Sequence, residues 1–170
     1  MCKFYGTDYT IHKLTPKYNS AVASLIRHSL KSHSLNIPGT VYFDLELDTL
    51  TDYYDLDDDR DFYVLIDQSN SLLGCIGFAE TALFPSCAEL QKLYIDDSVK
   101  GQGLSYLLIS FIEEKMALKG YKKSYLETHS NLQRAIYVYE KCGYEKIPRP
   151  DTVGHGTMDH FYIKDISPKL

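Results

Sequence analysis

Lys100-Gly101-Gln102-Gly103-Leu104-Ser105 joins the apolar run Leu90 to Ile95 to a helical pattern that reaches Lys119. A glycine-punctuated turn between a strand and a helix start leaves several backbone N–H groups unpaired and aimed outward. With the positive end of the helix dipole, those donors make a site for phosphate. The turn is not a Walker A loop, which needs four residues between its first glycine and Gly-Lys-Ser/Thr. Nor is it a dinucleotide fingerprint, because the third glycine of G-x-G-x-x-G is absent.

The elements around the turn follow from hydrophobic period. Leu104, Leu107, Leu108, Phe111, Ile112 and Met116 form one apolar stripe, which Gly120 ends. Lys123 to Thr128 reads as a strand, so strand, helix and strand from Leu90 to Thr128 form a parallel crossover. Upstream, Phe62 to Ile66 and Leu72 to Glu80 flank the turn Asp67-Gln68-Ser69-Asn70 as an antiparallel hairpin. Gly74 and Gly77 inside its second strand point to a bulge or a close backbone approach. Tyr9 to Leu14 is a first strand, and Thr15-Pro16 has the form of an N-cap with proline at the first helical position. The helix after it places Tyr18, Val22, Leu25, Ile26 and Leu30 on one face before Asn36-Ile37-Pro38-Gly39 breaks the pattern. A second helical region covers about Leu45 to Tyr54. Downstream, Ser130 and Gln133 have capping-box spacing for a helix through Lys141, stopped by Gly143. Tyr144 to Ile147 and Asp159 to Ile166 close the chain as strands.

The predicted fold is α/β. It is a mixed, mostly antiparallel sheet of six to seven strands flanked by helices on both faces, with one parallel pair. At 170 residues, positions 1–170 are expected to form one domain. No run approaches the ~20 apolar residues of a membrane span, and Met1-Cys2-Lys3-Phe4 lacks a signal-peptide core. Cys2, Cys75, Cys87 and Cys142 are widely spaced, which suits reduced thiols in a cytoplasmic protein. A net charge of −5 argues against nucleic acid as the main partner. The acid crowds into Asp44, Glu46, Asp48, Asp52, Asp55, Asp57, Asp58, Asp59 and Asp61, relieved by Arg60. That run reads either as a solvated face or as an electrostatic funnel for a cationic amine.

Lys100 to Ser105 resembles the R/Q-x-x-G-x-G/A signature of the GNAT family of N-acetyltransferases. The block Asn131-Leu132-Gln133-Arg134-Ala135-Ile136-Tyr137-Val138-Tyr139-Glu140-Lys141-Cys142-Gly143-Tyr144 looks like that family's N-x-x-A-x-x-x-Y-E-K-x-G-F/Y segment. The resemblance covers about Phe62 to Ile147. Three positions depart from the pattern: Lys100 for arginine or glutamine, Ser105 for glycine or alanine, and Asp97 where many members carry proline.

The resemblance implies acetyl-CoA as donor co-substrate, with its pyrophosphate on Lys100, Gly101, Gln102, Gly103, Leu104 and Ser105. It also implies that the central parallel pair splays, so that Leu93, Tyr94 and Ile95 run along the pantetheine arm beside Ala135, with Asn131 bonding to backbone or to the arm near the splay; the alternative for Asn131 is a helix cap shared with Ser130. Tyr139 matches the leaving-group tyrosine; its alternative is plain packing with Leu132, Ala135 and Ile136. A phenol near pKa ~10 is a weaker acid than a thiol near ~8.5, so full transfer to the thiolate is uphill by about 2 kcal/mol and a hydrogen bond is the expected role. Glu89 is the expected general base, its alternative a rim carboxylate; Glu127 lies on the neighbouring strand and His129 follows it. His155 and His160 border the family's acceptor side. His28 and His33 lie on different helix faces, no histidine pair has metal spacing, and no metal is expected. Tyr42, Tyr53 and Tyr54 are candidates for an amine pocket.

The expected activity is N-acetyltransfer to a primary amine, by default a small molecule and polyamine-like if the acidic run guides it. A non-catalytic acyl-CoA sensor of the same fold and a generic nucleotide binder are the competing readings. Dimers are common in the resembled family, but no residue here establishes one.

Overall fold

The computed structural model describes residues 2–3, 8–153 and 156–167. His155, with Met1 and Phe4 of the N-terminal stretch, lies outside them. Eight strands form one sheet in the order β1-β2-β3-β4-β5-β6-β8-β7. They are β1 (Cys2–Lys3), β2 (Tyr9–Lys13), β3 (Arg60–Asp67), β4 (Leu72–Thr81), β5 (Cys87–Ile95), β6 (Lys123–Thr128), β7 (Glu145–Ile147) and β8 (His160–Asp165). The helices are α1 (Asn19–Ser32), α2 (Leu50–Tyr54), α3 (Leu104–Leu118) and α4 (Gln133–Lys141). The predicted mixed sheet is what forms, with the two-residue β1 added at its edge.

Every neighbouring pair is antiparallel except β5 and β6. α3 makes the crossover between those two strands. β4 is central and covered on both faces, so Leu73 to Ala79 is buried without a break. One face packs Phe78, Ala88 and Leu90 against Leu108, Ile112 and Met116 of α3 and Tyr139 of α4. The other packs Phe62, Val64 and Cys75 against Val22, Ile26 and Leu30 of α1 and Leu50 and Tyr54 of α2. Gly77 sits where a Cβ would lie 2.5 Å from the Phe62 ring, so close approach is the reason for glycine there.

Three local expectations change. The second helical region begins as a 3-10 segment, Leu45–Thr49, and becomes α only at Leu50. Proline does open the first helical turn, but Pro16–Tyr18 is 3-10 and the Thr15 side chain caps nothing. The Ser130/Gln133 capping box does not form. Asp159 takes both Ser130 donors, the N–H and the hydroxyl, at 2.7 Å each, and Leu132 occupies the cap position of α4. In a capping box the Gln133 side chain would accept the Ser130 N–H; the charged Asp159 carboxylate is the stronger acceptor and takes it, and the Gln133 amide donates to the Ser130 carbonyl instead.

Candidate active site

The parallel pairing of β5 with β6 covers only Cys87↔Lys123, Ala88↔Ser124 and Glu89↔Tyr125. Beyond Glu89 the two strands diverge. From Leu90 onward that edge of β5 has no strand partner among the described residues, and an unpaired edge is a template for another extended chain. A cavity of about 460 Å³ opens in the gap. Leu93, Tyr94 and Ile95 line it from β5; Glu127 and Thr128 line it from β6; Leu132, Arg134, Ala135, Val138 and Tyr139 line it from the α4 side.

The glycine turn closes one end. Gly101 and Gly103 hold φ of +84° and +76°, a region that L side chains rarely adopt. The first bond of α3 runs from the Leu107 N–H to the Gly103 carbonyl, 3.2 Å. Among the described residues, the N–H groups from Gly101 to Tyr106 have no hydrogen-bond acceptor. Lys100, Gly101, Gly103, Leu104, Ser105 and Tyr106 all line the cavity. Arg134 approaches from α4, its guanidinium 3.8 Å from where a Gly101 Cβ would stand. These donors and this cation suit a phosphate group. Lys100 itself pairs with Asp97, which also accepts from His28 of α1 at 3.0 Å. Hydrogen bonds from Lys100 and then His28 hold the Asp97 carboxyl at a pKa of about 2. Gln102 faces away from the cavity, accepting a 2.6 Å hydrogen bond from the Tyr9 hydroxyl.

Tyr139 is buried and borders the cavity. Among the described residues nothing hydrogen-bonds its hydroxyl. Burial, then the nearby Cys142 thiol, pushes its pKa well above the ordinary phenol value. It also packs edge-on against Tyr144, centroids 5.8 Å apart, so packing and a free hydroxyl coexist.

Glu89 does not line the cavity. It ends a relay on the α1–α2 face: the Tyr54 hydroxyl donates to Gln91 Oε1 at 2.6 Å, and Gln91 Nε2 donates to Glu89 Oε2 at 3.1 Å. Burial raises the Glu89 pKa, and Glu127 adds to the rise against the Gln91 bond. Asn131 also stays off the cavity wall; its amide donates to the His33 carbonyl at 3.0 Å, tying the α4 approach to the end of α1. Of the three candidate tyrosines, Tyr54 is buried in the relay, Tyr53 lies under the Arg60 guanidinium at 4.5 Å, and Tyr42 packs on Phe43. None lines the cavity. His160 pairs with Asp159 at 2.9 Å.

Sequence reasoning passed over Arg134 and Lys92. Arg134 lay inside the quoted block without a role. Lys92 has φ +54° at a bulge, where Lys92 and Leu93 of β5 together oppose Ile76 of β4. Its carbonyl accepts from the Cys75 thiol at 3.3 Å, and burial pushes that thiol up to about 12.

The model of the acetyltransferase (GNAT) family matches residues 27–144. An uncharacterized N-acetyltransferase of Escherichia coli K12, YjgM, is 31% identical over 139 residues, spanning 81% of this chain and 82% of that protein. A GNAT-family acetyltransferase structure from Staphylococcus aureus Mu50 superposes with a TM-score of 0.80 at 19% identity, over 94% of this chain and 99% of that one. A Vibrio cholerae spermidine N-acetyltransferase in complex with CoA and spermine gives 0.69 at 19% identity, over 94% and 96%. The last two likenesses are of fold.

Proposed function

Because this chain belongs to the GNAT acetyltransferase family, we propose that it moves the acetyl group of acetyl-CoA directly to the primary amine of a small molecule, with both bound together. The reading is supported above all by one observation: a run of unpaired N–H groups, Gly101 to Tyr106, faces a cavity flanked by the unpaired edge of β5. The pyrophosphate rests on those donors, from Gly101 through Gln102, Gly103, Leu104 and Ser105, with Arg134 and Lys100 supplying positive charge. The pantetheine amides pair with the backbone of Leu93, Tyr94 and Ile95, beside Ala135. Asn131 holds the wall by its bond to His33 rather than by touching the arm.

The amine nitrogen attacks the thioester carbonyl carbon. The N–C bond forms, the C–S bond breaks, and the ammonium proton leaves through water to Glu89. Burial favours proton acceptance by this carboxylate because it disfavours its charged form. Tyr139 donates a hydrogen bond to the departing thiolate; its raised pKa keeps the proton in place for that role. Buried free thiols at Cys75 and Cys87 suit a reducing, cytoplasmic setting.

The test is release of free CoA from acetyl-CoA across amines, polyamines, amino acids and peptides. Amine-dependent release with an acetylated product supports the reading. Tight CoA binding with no turnover of any amine would replace it with a non-catalytic sensor.

A further inference from the structure

Lys92 lines the cavity on the α1–α2 face, its Nζ 5.9 Å from the centre of the Tyr54 ring. Lys13, Lys100, Lys119 and Lys164 each have a carboxylate partner. Lys92, although partly buried, has no ion pair among the described residues. Asp44, Glu89 and Glu46 act on it only through their fields, opposing the burial that lowers its pKa. Among the described residues no fully buried side-chain nitrogen or oxygen lacks a partner. The unpaired Nζ is therefore not fully enclosed, and Lys92 is among the residues that line the cavity. Removing an ammonium from bulk water without a counter-ion is costly, and an incoming anion offsets that cost.

No acid of the acidic run forms an ion pair with Lys92 among the described residues; Asp44 and Glu46 reach it only through their fields. Asp48 pairs with Arg27, Asp55 and Asp61 with Lys13, Asp61 also with Lys119, and Asp57 and Asp59 with Arg60. None of these acids lines the cavity. A polycation entering here would meet Lys92 as a like charge. Across the cleft, the Glu127 carboxylate of β6 offers an acceptor for an amine N–H.

We infer that Lys92 is the counter-ion for an anionic group of the acceptor, so that the amine acetylated also carries a carboxylate. This rests on the acetyltransferase reading above. Lys92 stands at the β5 bulge, with a positive φ and its carbonyl held by the Cys75 thiol.

The experiment compares amino acids with their carboxamides, and both with spermidine, in the CoA-release assay. The wild-type protein is expected to favour each acid over its amide by about tenfold to a hundredfold in kcat/KM, the usual range for one charge-assisted contact. In Lys92→Met that ratio should fall toward one, with the loss falling on the acceptor KM rather than on kcat. The acid-to-amide comparison on wild-type protein needs no variant, so poor folding of Lys92→Met would not shelter the inference. Turnover of amides and spermidine as fast as the acids overturns it alone and leaves the acetyltransferase reading standing. A ratio unmoved in a folded Lys92→Met variant also overturns it. No turnover with any amine overturns both.

Discussion

Tyr139 is the residue on which sequence and geometry converge. Its place in the Asn131–Tyr144 block marked it, and its buried hydroxyl borders the cavity unpartnered among the described residues. Tyr139→Phe removes the hydroxyl and little volume. It should lower kcat by about 10²–10⁴-fold while leaving the fold intact by circular dichroism; near-wild-type turnover would reject the role. Asp159 carries a second residue-scale prediction. Burial by itself would raise its pKa, but hydrogen bonds from Ser130 and His160 lower it to about 2, against an ordinary carboxyl value near ~3.9. A depressed folded pKa contributes stability that is present above the unfolded value and lost as pH falls through the folded one. Asp159→Asn should therefore melt lower than wild type by at most about 3 °C above pH ~4, since the group is partly exposed. The gap should close as the pH falls toward ~2. Scanning calorimetry between those limits checks it, and a gap that widens in acid would refute the assignment. Residues such as Tyr139 were legible because a spacing motif carries them. Lys92 was not, because nothing in Leu90-Gln91-Lys92-Leu93 announces a positive φ. The fate of Ser130 was hidden for a related reason: its competitor, Asp159, lies 29 residues away.

At the scale of elements, period and punctuation were enough for the helices and strands that bury one clear face. The α3 stripe and the α1 stripe both point into the cores that their spacing implied. The short elements resisted. Leu45 to Tyr54 winds first as 3-10 and then as α, a distinction that five-residue pieces do not encode in hydrophobic spacing. The glycines were legible as punctuation, and their two distinct reasons are now separate. Gly103 meets no atom with an added Cβ and is needed for its φ of +76°. Gly103→Val should cost on the order of 1–3 kcal/mol through backbone strain and abolish the thermal shift produced by acetyl-CoA. A shift of wild-type size would mean that the pyrophosphate sits elsewhere. Gly77 has ordinary φ but no room. Gly77→Val drives a side chain into the buried Phe62 ring and should destabilise the protein by about 1–3 kcal/mol in urea denaturation. A smaller effect would show that Phe62 can yield.

For the molecule as a whole, the sheet order and its one parallel pair make the site. β5 and β6 stay paired for three residues, then part, and the cleft between them receives the glycine turn from one end and α4 from the side. The crossover was readable from strand, helix and strand; the point of divergence came only from the family resemblance, because local sequence does not record where two strands separate. Charge behaves similarly. The acidic run was visible, but its partners Lys13, Arg27, Arg60 and Lys119 come from other parts of the fold or from within it, and they turn most of the run into ion pairs. The central claim is that acetyl-CoA lies in this cleft, phosphates on the turn and arm along β5. Hydrogen–deuterium exchange with and without acetyl-CoA measures that directly. Slowed exchange at Gly101 to Tyr106 together with Leu93 to Ile95 is the predicted result; unaltered exchange at both segments under saturating acetyl-CoA would contradict it.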